Sequence, residues 1–231
     1  MNKRTTARVA CLLVVSLLIL VCASVARAED EDFKRFGIIV GGVYVMPGEK
    51  LDQSYRNATE PLVGQTNIDS AVAPMVELEY FFFKPGTLPV PGTISAELVL
   101  TTTKHDITFE GGAVSAGSLW LLPPSLFVKY HPFATACVSP YFGVGLDVVM
   151  PYDERLSIGT TPVHFSVGNA VGWAVKFGFD IPIYKSKCFN LYYNADATYY
   201  NTDTNMTIGG LGKYDLDLNP WIVSTGVGIR F

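Results

Sequence analysis

Residues 171–181 read VGWAVKFGFDI. One parity carries Val171, Trp173, Val175, Phe177, Phe179 and Ile181. The other carries Gly172, Ala174, Lys176, Gly178 and Asp180. Strict alternation over such a length is a strand with two unlike faces. The large apolar side chains all lie on one face. The opposite face is small or charged, too polar and too thin to be the core of a water-soluble sheet. A strand of this kind makes sense when its greasy face meets lipid and its polar face lines a closed lumen.

The same pattern recurs along the chain. Phe189–Tyr200 places Phe189, Leu191, Tyr193, Ala195, Ala197 and Tyr199 opposite Asn190, Tyr192, Asn194, Asp196, Thr198 and Tyr200. Tyr141–Met150, Leu119–Tyr130 and Ile222–Phe231 alternate likewise, and Phe33–Val45, Ala73–Phe83 and Ser95–His105 do so less cleanly. That predicts an all-β fold, an eight-stranded antiparallel transmembrane barrel of the outer-membrane type. Ten residues rise roughly 33 Å, or about 25 Å at barrel tilt, which matches the outer-membrane hydrocarbon band. Closure leaves no sheet edge in lipid.

The connections sort by length. Lys84–Thr93, His131–Ser139 and Pro182–Lys187 are short and are expected as periplasmic turns. Pro47–Val72, Asp106–Ser118, Pro151–Gly168 and Thr202–Asn219 are longer and polar, and are expected as extracellular loops. Tyr44, Trp120, Trp173, Tyr199 and Trp221 gather near one end of the strands, and Phe36, Tyr80, Phe82, Tyr130, Phe179, Phe189 and Phe231 near the other. Two aromatic girdles are the mark of the two membrane interfaces.

The first 28 residues read as a cleaved signal peptide: Lys3, Arg4 and Arg8, an uncharged apolar run from Val9 to Val25, then Ala26-Arg27-Ala28. The barrel is expected to be a single domain over residues 29–231. Cleavage removes four cations and no acid, taking the formal charge from −4 to −8. Such a charge argues against nucleic acid as a partner. Cys137 and Cys188 could form a disulfide in an exported protein or stand as two free thiols. Their spacing fits no metal site, and nothing in the sequence calls for a cofactor.

Four stretches resemble the outer membrane protein W family: LPPSLFVKYH (122–131), SPYFGVGLDV (139–148), VGWAVKFGFDIPI (171–183) and LDLNPWIVSTGVGIRF (216–231). Ala96-Glu97-Leu98 is similar to a further family segment, whereas Pro47–Val72 and Lys84–Pro91 show no clear match. The resemblance implies an eight-stranded barrel with a narrow hydrophobic interior. It implies passage of small hydrophobic or amphipathic molecules from outside, with sideways release into the bilayer. It also implies roles as a receptor for colicins or phage and as a surface antigen. The terminal Phe231 resembles the C-terminal signal that outer-membrane barrels present to their assembly machinery.

The inward parity supplies the candidate site. Arg35, Glu79, Lys129, Asp180 and Arg230 are expected toward the periplasm, with Glu77, Glu97, Lys176, Asp147 and Asp196 further up. They read either as a salt-bridged plug or as an ion path. Above them Val43, Val45, Met75, Val99, Leu121 and Phe127 read as an apolar pocket or as ordinary barrel filling. Pro123 and Pro124 stand mid-strand, where a missing N–H weakens pairing; they read as a lateral opening or as a bulge. Two other classes stay in view: a surface barrel that transports nothing, and a lipid-modifying enzyme. For the enzyme, His105 beside Thr103 or Ser118 is the one base–hydroxyl seed, and the expectation is that the protein is not an enzyme.

Overall fold

The computed structural model describes residues 33–51, 67–109, 114–158, 161–163, 165–208 and 212–231. The signal segment, His164 and most of the first long connection lie outside the described residues. Eight strands make the wall: β1 (Phe36–Met46), β2 (Ala71–Phe81), β3 (Thr93–Thr101, continued by Thr103–Phe109), β4 (Val114–Leu122, continued by Ser125–His131), β5 (Ser139–Ile158), β6 (Ala170–Lys185), β7 (Asn190–Ile208) and β8 (Trp221–Arg230). Each pairs antiparallel with the next. β8 then pairs with β1, from Gly37↔Arg230 to Met46↔Trp221, so the sheet closes on itself. Closure leaves no free sheet edge in the belt, as a hydrocarbon surround requires.

The burial pattern is inverted relative to a soluble protein. Along β2, Val72 is 78% exposed while Glu77 is fully buried. Val144, Leu146, Val171, Phe177 and Val227 are likewise exposed on the outer surface. The outward apolar band is far larger than the patches that monomers show to water. Aromatic rings mark its two ends. At the loop end, Trp173, Tyr199 and Trp221 form a chain with ring centroids 6.1 and 5.3 Å apart. At the end that holds both Phe36 and Phe231, Phe36 packs on Tyr80 at 5.0 Å and on Phe231 at 6.3 Å. Phe36 and Phe231 also exchange two backbone hydrogen bonds, sealing the first strand to the last.

The strands run further than the alternation shows. β5 continues to Ile158 and β7 to Ile208, through residues expected as loops. Gly212–Leu218 pairs with β7 and with Glu49–Leu51, Thr161–Val163 pairs with β5, and Phe165–Val167 pairs with β7. The physical reason is that a hairpin standing beyond the membrane has no greasy face to encode, so period-two contrast disappears. Pro182, expected to open a turn, lies inside β6 where the register shifts against β7, a position that tolerates a missing N–H. Cys137 and Cys188 are exposed and unbridged, in the two turns that follow β4 and β6.

Inside, glycine on one strand makes room for an aromatic ring on its neighbour. A Cβ at Gly228 would lie 2.4 Å from the Tyr192 ring, one at Gly178 2.5 Å from Tyr141, and one at Gly145 2.6 Å from Phe127. The small inward residues are therefore the seats of large ones, which is how so narrow a barrel is filled.

Candidate functional site

The interior is layered. Nearest the terminus end, eight of the ten expected inward charges meet. Lys129 Nζ bonds Glu79 Oε1 at 2.8 Å and Glu97 Oε2 at 2.5 Å. Lys176 Nζ takes the other oxygen of Glu97 at 2.6 Å and Glu77 Oε1 at 3.1 Å, with Asp196 at 3.7 Å. Glu97 thus bridges the two lysines, one oxygen each. Arg230 Nη2 lies 3.3 Å from Asp180 Oδ2 and 3.7 Å from Glu79 Oε2. Arg35 sits at the lip, where its Nη1 donates to the Phe82 carbonyl at 3.0 Å.

His131, which alternation alone places at the start of a turn, is 1% exposed and faces inward. Its Nε2 lies 3.2 Å from Glu79 and 3.1 Å from the Ser95 hydroxyl, and its Nδ1 lies 3.9 Å from Asp180. The parity Ser125, Phe127, Lys129 runs on to it unbroken. Asn194 donates to Asp180 and to the Tyr141 hydroxyl, both at 2.9 Å. Rings cover the cations: Lys129 lies 4.2 Å from the Tyr141 centroid and Arg230 3.9 Å from that of Phe81. Each of these buried charges has a partner of opposite sign, which offsets the cost of burying it.

An apolar layer lies above. Val43, Met75, Val99 and Phe127 pack there with Ile39, Ala73 and Ala174. Phe127 joins the layers, with Lys176 Nζ 4.7 Å from its ring and Tyr200 stacked edge-on at 6.4 Å. Five of the six expected pocket residues, Val45 included, are therefore buried filling. Val45 and the sixth residue, Leu121, line a cavity of about 650 Å³, open mouth included. Its remaining wall includes Leu119, Val149, Ile222 and Pro123, with the polar Thr103, His105, Asp147, Tyr200 and Thr202. Asp147, expected among the plug charges, instead stands above the apolar layer and faces this cavity.

At Pro123-Pro124 the ladders on both sides of β4 are interrupted. Between β3 and β4, pairing runs to Val99↔Ser125 and resumes at Thr103↔Leu121. The register is the same on both sides of the break, so no bulge separates them. The ladder between these two strands is not continued through Leu100 and Thr101, which the register sets opposite Pro124 and Pro123. Between β4 and β5 the pairs also skip the two prolines, from Leu122↔Met150 to Ser125↔Asp147, but there Val148 N–H bridges the gap by donating to the Pro124 carbonyl at 3.1 Å. In a pleated strand alternate residues address opposite neighbours. If Pro124 addresses β5, Pro123 addresses β3, and its missing N–H falls at the break.

His105 Nδ1 lies 3.0 Å from the Asp69 carbonyl and its Nε2 3.1 Å from Thr103 Oγ1. A carbonyl only accepts, so Nδ1 carries the proton, and the Thr103 hydroxyl donates to Nε2. A base and a hydroxyl are thus in reach of one another, oriented by a backbone carbonyl and not by an acid. Ser118 sits in the ladder opposite Asp106.

The model of the OmpW family matches residues 36–231. Among curated proteins, an uncharacterized outer-membrane protein, y4mB, of Sinorhizobium fredii is 28% identical over 164 residues. That match covers 70% of this chain and 66% of the relative, just under two thirds of its length. Among solved structures, the outer membrane protein OprG from Pseudomonas aeruginosa superposes with a TM-score of 0.69 at 23% identity, covering 88% of this chain and 99% of its own. The outer membrane protein AlkL in DMPC bilayers gives a TM-score of 0.62 at 16% identity, over 89% and 93%. At those identities the two structures attest the barrel.

Proposed function

The chain belongs to the OmpW family of outer-membrane barrels, and from that premise we propose that it admits small hydrophobic or amphipathic molecules at its loop end and releases them sideways into the bilayer. The observation that carries the reading is the junction of cavity and break. Pro123 lines the cavity, and so do Thr103 and Leu121, the pair that ends the break. A molecule held there has lipid beside it and packed side chains beneath. The closed floor supports sideways release over passage to the terminus end, which the signal peptide reading assigns to the periplasm.

The same reading assigns no catalysis. A histidine anchored by a backbone carbonyl lacks the acid that orients a nucleophile's base. The partners it implies are outer-membrane lipid, a small hydrophobic ligand and, through Phe231, the assembly machinery. Binding of phage or colicin to the outer loops is the alternative, and it is favoured if transport fails.

The test is uptake of a small apolar probe into proteoliposomes alongside single-channel conductance, for the native chain and Pro123→Ala/Pro124→Ala. The expected result is probe uptake that slows several-fold in the double variant, with ion conductance low in both. If neither protein moves the probe, the transport reading fails and the barrel is a scaffold for its loops.

A further inference from the structure

The cavity is greasy but not featureless, and the proton bookkeeping of its polar wall is one-sided. Ser125 Oγ lies 2.8 Å from Asp147 Oδ1 and 3.4 Å from the Pro123 carbonyl. Its single proton goes to the shorter, charge-assisted bond. Ser125 then accepts from the Tyr200 hydroxyl, 3.3 Å away. Tyr200 and Ser125 thus spend their protons in a chain that ends on Asp147. Thr103 has spent its proton on His105, as derived above. Asp147 is 2% exposed, and among the described residues no Lys, Arg or His pairs with it. Thr202, also on the wall and 1% exposed, has a hydroxyl with no hydrogen-bond partner.

A buried carboxylate without a cation, beside Ser125, Tyr200 and Thr103 hydroxyls whose protons are already spent, offers acceptors and asks for a donor, and the Thr202 hydroxyl is left free to pair with the same head. We infer that the cavity is a binding site for amphipathic molecules with an apolar body and a hydrogen-bond-donating or cationic head, an alkylammonium or a primary alcohol, with Asp147 receiving the head. The inference rests on the uptake reading and narrows it to a ligand class. The apolar body lies against Val45, Leu121 and Ile222, and the head addresses Asp147 on β5. An anionic head of the same length meets Asp147 with like charge, so fatty carboxylates are selected against.

The experiment is displacement of an environment-sensitive apolar fluorophore from the purified full chain held in amphipol, in mildly alkaline buffer. The competitors are octylamine, octanol and octanoate. On the native protein octylamine should displace the fluorophore at least tenfold more effectively than octanoate, the order of a charge-assisted hydrogen bond, with octanol between them. Asp147→Asn should bring octylamine down to the level of octanol and improve octanoate, leaving octanol within about twofold. If the fluorophore binds but the three competitors rank alike, the head-group inference falls and the uptake reading stands. If the fluorophore does not bind, both fall. The ranking on the native chain decides the matter even where the variant does not fold.

Discussion

Glu97 shows most directly how one residue serves the whole. It is fully buried, and each of its oxygens holds a different lysine. Removing Lys176 would leave Glu77, Glu97 and Asp196 facing one another with one cation fewer. Lys176→Met should therefore cost about 3–5 kcal/mol, the penalty for stranding a buried charge. Urea unfolding of the barrel in lipid vesicles measures it. Lys176→Met/Glu97→Met should cost less than the two single losses added, because the second change removes the stranded partner. Additive losses would mean that the pair is not coupled. The charged members of this layer were legible from parity, since Lys176 and Asp180 stand on the inward face of the most regular strand. His131, Ser95, Tyr141 and Asn194 were not singled out. Parity says which way a side chain points, but not that the strand persists to its end or which neutral groups complete a charged cluster. The glycines had a second meaning too. Alternation reads them as a small face, whereas Tyr192 over Gly228 shows that smallness on one strand is volume lent to the next.

At the scale of the strand, β3 and β4 carry the feature most open to test. The eight-strand count was legible, because lipid imposes one greasy face on every strand it touches. The extensions of β5 and β7 were not, because beyond the membrane both faces meet water. The Pro123-Pro124 break was legible as a weakness, but the side on which a hydrogen bond bridges it was not. That depends on which neighbour each proline addresses, and only the bond from Val148 to the Pro124 carbonyl fixes it. The two prolines should then behave differently. Pro123→Ala restores an N–H directed at β3, opposite Thr101 by the continuing register. Pro124→Ala restores one on the side that the Val148 bond already bridges. Hydrogen exchange followed by NMR should show new protection at residue 123 in the first variant, and probe uptake should slow more in the first than in the second. Equal slowing by both would place the exit elsewhere in the wall.

For the whole molecule the question is which layer closes it. Phe127 lies between them, with Lys176 against one face and Tyr200 at its edge. Phe127→Ala would extend the cavity down toward the lysine, at a cost of about 3–5 kcal/mol for a large-to-small change. The charge layer beneath is built independently, with carboxylates from β2, β3, β6 and β7 meeting cations from β4, β6 and β8. Bonds across that many strands do not depend on one ring. Phe127→Ala should therefore accept bulkier apolar probes at the loop end while single-channel conductance stays at the native level. The two readouts separate the two seals. A rise in conductance would mean that the aromatic layer alone keeps water out, and that the charges below it form a path for ions. Unchanged conductance with a broader choice of probe would assign selectivity to the ring and closure to the ion pairs, which is the division of labour that sideways release requires.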